Sequence, residues 1–222
     1  MSDFQHTTNQ TTQPRILVLG ATGGTGRLIV AQALARGHDV AVLVRSAEKA
    51  KDLGNVTVIV GDARDEQALR RAVKGRDAVV SAIGSSVSPF REVTLFSTAT
   101  KALIAAMKAE GAKRLVAITG IGAGNSVGHG GFLFDRVIFP LLLRKVYADK
   151  NRQEAIIRDS GLDWVLVRPA ILSNKPGRGD VRALTDLSHF HGGSIAREDV
   201  ARFVLDQVGS DKWLWQAPLI TW

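Results

Sequence analysis

The stretch Arg15-Ile-Leu-Val-Leu-Gly-Ala-Thr-Gly-Gly-Thr-Gly-Arg27 decides the fold of this 222-residue chain. It begins with an aliphatic run that stops at Gly20, the pattern of a short buried strand. From Gly26 the spacing becomes helical, with Leu28, Ile29, Ala33 and Leu34 on one face and Gly37 as a stop. Between strand and helix, Gly20, Gly23 and Gly26 form a GxxGxxG frame. Gly20 permits a tight turn, Gly23 lets backbone approach a pyrophosphate, and Gly26 lets helix and strand pack closely. The free N–H groups and positive dipole end of the helix then meet the phosphates. A glycine triplet alone is a weak signal. At a strand–turn–helix junction it points to a dinucleotide.

Further along, Asp39–Val44, Val56–Val60, Asp77–Ser81, Leu115–Ile118 and Trp164–Val167 read as further buried strands. Helical patterns separate them at 65–74, 91–110, 132–160 and 197–208. In the stretch 91–110, Leu95, Ala99, Ala102, Leu103, Ala106 and Met107 form one stripe, and Gly111 follows as a stop. Apolar strands alternating with amphipathic helices predict an α/β fold, a doubly wound parallel sheet in three α/β/α layers. No linker or repeat interrupts residues 14–222, so one domain is expected, preceded by a polar tail at 1–13. The tail has neither the basic nor the apolar region of a signal peptide.

Composition narrows the function classes. Net charge is +8, but the basic residues are scattered and no aromatics interleave with them, which argues against nucleic acid. The absence of cysteine excludes disulfides, thiolate metal sites and cysteine nucleophiles, and agrees with a cytoplasmic location. The five histidines show no metal-ligand spacing beyond the pair His189/His191, which reads as a loop. The segment Phe132–Leu143 is broken by Asp135, Arg136 and Pro140 and is too short to span a bilayer, so no membrane is expected as a partner.

The second strand ends in Leu43-Val44-Arg45-Ser46. An NAD site would place a carboxylate there for the ribose 2′-hydroxyl. A guanidinium instead suits a 2′-phosphate, so NADP(H) is the preferred cofactor and NAD(H) the alternative. Ser46 either adds a hydroxyl or caps the next helix. Asp62 and Ala63, after the third strand, either meet the adenine or form a turn. Ala82, Ile83 and Gly84 follow the fourth strand, where backbone lines the ligand crevice.

Together GATGGTG at 20–26, LVR at 43–45, GDARD at 61–65 and SGLDWVLVRPA at 160–170 resemble the atypical short-chain dehydrogenase/reductases. The nearest resemblance is to the NAD(P)H-binding NmrA-like proteins and the biliverdin-IXβ reductase/flavin reductase group, over residues 14–217. It implies a Rossmann fold with strand order 3-2-1-4-5-6 and a seventh strand near Leu214–Ala217. It implies phosphate contacts at Gly20, Thr22, Gly23, Gly24, Thr25 and Gly26, and a 2′-phosphate contact at Arg45. Asp62 and Ala63 are implied at adenine and Ala82–Gly84 along the ribose. Thr119 and Gly120 are implied near the nicotinamide, with Pro169, Ala170 and Ile171 covering its carboxamide side.

The superfamily's catalytic Ser, Tyr and Lys are only partly carried over. Lys150 resembles the lysine that holds the ribose. The chain's single tyrosine, Tyr147, stands three residues before it rather than four, about 100° around the helix from the usual position. Gly120 occupies the serine position, with Thr119 beside it. Lys150, Tyr147 and Thr119 are the catalytic candidates, and His129 is a further candidate acid. Ketone reduction needs a positioned acid, whereas a flavin, quinone or linear tetrapyrrole takes its proton from water. The departure therefore favours hydride transfer to a planar conjugated acceptor by a monomer or homodimer. A non-catalytic NADP(H) sensor is the alternative. Gly120–Gly131 is expected as a loop over the nicotinamide, and Phe132–Leu142 as an apolar wall or a packed helix.

Overall fold

In the computed structural model, residues 13–85 and 92–222 are described. The chain opens with β1 (Ile16–Leu19), α1 (Gly24–Ala35), β2 (Val40–Val44) and β3 (Thr57–Val60). It continues with α2 (Glu66–Val73), β4 (Ala78–Ser81), α3 (Leu95–Glu110) and β5 (Arg114–Ile118). A π-helical segment, Phe134–Leu143, runs into α4 (Arg144–Arg158), followed by β6 (Asp163–Pro169). The last elements are β7 (Ile171–Ser173), β8 (Arg182–Leu184), β9 (Ser194–Ala196), α5 (Arg197–Asp206) and β10 (Leu219–Thr221).

Eight strands form one sheet in the order β3-β2-β1-β4-β5-β6-β10-β8. All pairings are parallel except β10–β8. The expected 3-2-1-4-5-6 order is present, and the sheet extends beyond it. Its seventh strand lies slightly later than expected. Gln216 only bridges to Val165, and regular pairing with β6 begins at Leu219. A separate parallel pair joins β7 to β9.

Strand alternation divides the core. Val18, Val42, Val80, Val116 and Val167 face the layer of α1 and α5, together with Ile29, Ala33, Val200 and Val204. Leu17, Ala41, Val79, Leu115 and Leu166 face α2, α3 and α4, against Leu69, Leu103, Met107 and Ile157. Each side chain of the central strands β1, β2 and β4 thus has a helix to bury against, which is what makes parallel strands apolar on both faces. An edge strand such as β3, expected to be buried, departs from this. At the sheet edge, its Val58 and Val60 are 39% and 52% exposed.

Two other boundaries differ from expectation. The third long helix begins at Leu95, and of its expected start at 91 that residue lies outside the described ones. Its amino end is held from α4, where buried Asp149 accepts from the N–H groups of Phe96 (2.8 Å) and Ser97 (3.3 Å). The pattern at 132–160 is helical, but its first part is π-helical around Pro140. Proline supplies no N–H to an i→i−4 bond and clashes with the preceding turn, and the wider turn relieves both.

Candidate functional site

The parallel strands end on one side of the sheet, and β1 and β4 lead their chains to opposite faces there, leaving a crevice between them. The glycine turn occupies that crevice. Gly20 has φ +76°, and a Cβ on it would lie 2.3 Å from the Ala82 carbonyl oxygen. A Cβ on Gly26 would lie 2.0 Å from the Gly20 oxygen. No other residue fits either position without moving backbone. Gly23 is different. Its Cβ would meet only the Gly20 oxygen at 3.4 Å, so internal packing gives it little reason to be glycine. Close approach by a ligand gives it one.

Gly23 is the N-cap of α1, no side chain caps that end, and no acidic residue stands in its first turn. The positive end of a 12-residue helix is therefore open toward the crevice, with Thr22 and Thr25 half-buried beside it. Arg197, the first residue of α5, extends the same field. Its Nε and Cδ lie 3.1 and 3.3 Å from where a Cβ on Gly24 would be. Among the described residues it has no ion-pair partner. A guanidinium beside a bare helix N-terminus is a repulsive arrangement until an anion joins them.

Arg45 is exposed after β2, and Ser46 stands at the N-cap of the short 3-10 turn Ala47–Ala50. The Ser46 hydroxyl makes no capping bond there, so of its two expected roles the free hydroxyl fits the geometry better. Asp62 behaves as a turn former. Its carboxylate accepts from the Arg64 backbone N–H (2.8 Å) and from the Arg64 guanidinium at 2.8 and 2.9 Å. These bonds, with a lesser contribution from Arg45, hold its carboxyl down at about 2. Ala63 remains half-buried beside it. Ala82 and Ile83 are half-buried, and nothing lies within 4 Å of where a Gly84 Cβ would be.

At the other end of the crevice, the Thr119 N–H bonds to the Val167 oxygen (2.8 Å) and the Ile121 N–H to that of Pro169 (2.9 Å). The β5 and β6 ends are thereby joined. Pro169 and Ala170 are buried, while Ile171 is 45% exposed. Gly120, at φ +147°, faces the Tyr147 hydroxyl, which would lie 3.0 Å from a Cβ. The Lys150 ammonium donates to the Thr119 carbonyl and stands 5.0 Å from the Phe96 ring centre. Tyr147, Lys150, Thr119 and Gly120 are therefore together, as expected from sequence.

Their chemistry is not that of the usual trio. Burial pushes the Tyr147 phenol up to about 12, so it stays protonated and a weak acid. Burial pulls Lys150 down to about 8, against an opposing pull from Glu154. The Thr119 hydroxyl donates to Glu154 Oε1 at 2.8 Å, so its proton is committed away from a substrate. Glu154 is itself buried and paired with Arg168, whose Nε lies 2.9 Å from Oε1. The second guanidinium contact to Glu154 is 2.5 Å, and Asn125 accepts from the remaining arm. Sequence reasoning missed this pair and Arg197. An arginine inside the apolar run Trp164–Pro169 was the available signal for the pair. Arg197 gives no local signal.

The loop after Gly120 is tied down rather than free. The Ser126 hydroxyl accepts from the Gly122 N–H (2.9 Å) and donates to the Ala123 oxygen (2.6 Å). His129 bonds through Nδ1 to the Phe190 oxygen (2.8 Å) and stacks on His191, as a tether between loops. The Phe139 ring packs 5.2 Å from Tyr147, so part of the expected apolar wall does border the site.

Fold and crevice together define a Rossmann-type dinucleotide-binding protein of the reductase/epimerase-like kind. The chain belongs to the NAD(P)H-binding family, whose model matches residues 20–211. It is 31% identical over 198 residues to the uncharacterized sugar epimerase YhfK of Bacillus subtilis, covering 86% of each chain. ChuY, an anaerobilin reductase of Escherichia coli O157:H7, shares its fold at 22% identity and TM-score 0.79, over 93% of this chain and 96% of that one. A Veillonella parvula short-chain dehydrogenase/reductase solved with NADP does so at 17% identity and TM-score 0.75, over 94% of each.

Proposed function

We propose that this protein is an NADPH-dependent oxidoreductase that passes hydride to a planar conjugated acceptor, such as a flavin or quinone, as a monomer or homodimer in the cytoplasm. The observation that carries this reading is the state of the three expected acid–base groups. Tyr147 holds its proton too tightly, Thr119 gives its proton to Glu154, and Lys150 is tied to the Thr119 carbonyl. An acceptor that must be protonated by the enzyme in the transition state would find neither the phenol nor the threonine hydroxyl ready to do so, leaving only the Lys150 ammonium, which is held at the Thr119 carbonyl. A conjugated acceptor spreads the incoming charge and takes its proton from water.

The groups at the other end fit the cofactor. The open end of α1 with Arg197 suits a pyrophosphate, and Arg45 with the Ser46 hydroxyl suits a 2′-phosphate. When bound, the nicotinamide supplies the hydride. Lys150 then orients the ribose, while Gly120, Pro169 and Ala170 shape the space around the ring. The solved neighbour that holds NADP supports the choice of coenzyme, and the anaerobilin reductase supports a conjugated acceptor.

The test is a thermal-shift comparison of NADPH and NADH, followed by multiple-turnover oxidation of the better one with FMN or a soluble quinone. Larger stabilisation by NADPH and sustained turnover are expected. Tight NADPH binding without turnover on any such acceptor would favour an NADP(H)-binding regulator instead, because a site whose tyrosine and threonine are both withheld serves a sensor equally well.

A further inference from the structure

Away from the crevice, the largest unexplained feature is the outer face of the π-helical segment and the residues before it. Phe132, Leu133 and Leu141 are 82%, 63% and 66% exposed, and Val137 and Leu142 are 42% and 46% exposed. Leu133, Val137 and Leu141 recur every four residues and so lie along one side. Phe134 and Phe139 turn the other way, into the cluster that contains Tyr147. Contiguous apolar surface of this kind marks a contact. Exposed Arg136 and Arg144 stand among these residues in the chain. The one acid of the segment, Asp135, is half-buried and accepts from the Gly130 N–H (3.2 Å).

We infer that this face lies on an anionic lipid surface. Its leucines and Phe132 enter the boundary between headgroups and acyl chains, while the arginine stems run outward to lipid phosphates. Charge selects this occupant over a second copy of the chain. A two-fold interface brings a patch onto itself, and this patch offers its own Arg136 and Arg144 no exposed carboxylate, because its one acid, Asp135, is half-buried and bonded to Gly130. An anionic bilayer attracts them, and the chain's net charge of +8 adds to the attraction. Lying on a bilayer is distinct from crossing it, and among the described residues no helix is long and apolar enough to cross. On the reductase reading, an acceptor dissolved in lipid would then reach the site past Phe139. The docking itself does not depend on that reading.

The test is sedimentation of the full chain with vesicles of phosphatidylcholine alone or mixed with about one-third phosphatidylglycerol. Binding is expected only to the anionic vesicles and should weaken with salt. Arg136→Glu with Arg144→Glu should reduce the partition by roughly 25-fold or more, at about five-fold per basic residue near the surface. Leu141→Asp with Leu142→Asp should abolish it. NADPH thermal shifts of these variants should match the parent, which separates a failure of docking from a failure of the cofactor reading. Absence of the parent from anionic vesicle pellets overturns the inference. So does a dimer, seen by light scattering, that the Leu141 and Leu142 changes dissociate.

Discussion

The two ends of the crevice are built by different means. Around β1 and α1 the proposed binding groups are backbone N–H groups, a helix end and glycines whose absent side chains make room. Around β5 and α4 they are side chains whose behaviour depends on neighbours far away in sequence. The first construction is readable from a short stretch. The second can keep its residues and lose its chemistry. Tyr147 and Lys150 are still adjacent to Gly120, yet one is pushed up to about 12 and the other down to about 8. Proximity alone thus does not confer the usual reactivity.

Changes at the two ends should therefore differ in kind. The largest effect is expected for Gly26→Ala, whose Cβ would meet the Gly20 oxygen at 2.0 Å. Moving the turn should cost about 2–3 kcal/mol of stability, read as a lower Tm, and remove detectable binding of both coenzymes by calorimetry. A glycine turn that tolerates alanine there would mean the close approach of helix and strand is not required. Arg197→Ala should weaken NADPH and NADH by the same factor, roughly 10- to 100-fold for one charge-assisted contact. A loss confined to one coenzyme would move Arg197 away from the shared pyrophosphate. Arg45→Ala should cost NADPH a comparable factor and leave NADH nearly unchanged. Equal losses in calorimetry would remove the 2′-phosphate assignment.

At the nicotinamide end the expected effects are smaller and depend on pH. Lys150 loses its proton as pH rises through about 8. If the ammonium holds the ribose, kcat/KM for NADPH should be flat below that pH and fall above it, and Lys150→Met should lower the plateau and erase the limb. For stability the sign is opposite. Between about 8 and the ordinary lysine value of 10.5 the unfolded chain binds more protons, so this group makes stability rise with pH. Tyr147→Phe should change turnover by only a few-fold. A loss near 10³, typical of removing a general acid, would return the phenol to the chemistry.

What was legible in the sequence follows the same division. GxxGxxG between an aliphatic run and a helical stripe was enough for the first half of the fold, and the alternation of strands and helices for most of the sheet. Arg197 was not legible, because only the packing of α5 on α1 brings it to Gly24. The commitment of Thr119 was not legible either, since it requires Glu154 on α4 to meet Arg168 on β6. The pattern at 132–160 reads as one helix, with Pro140 only a break in its apolar run, so the widening into a π-helix was not legible. Contacts between distant segments decide these points, and short-range patterns do not encode them.

The chain's last residue is tied to the beginning of α5. The Trp222 indole N–H donates to the buried carboxylate of Asp199 (2.8 Å), and the Arg178 guanidinium lies 4.0 Å over the same ring. Asp199 is two residues from Arg197, so an adjustment of that arginine toward a phosphate is expected to reach an indole whose fluorescence depends on its electrostatic surroundings. Trp222, one of the chain's four tryptophans, thus stands on the α5 side of the glycine turn as an optical reporter, and a change of tryptophan emission is expected in a coenzyme titration without a label.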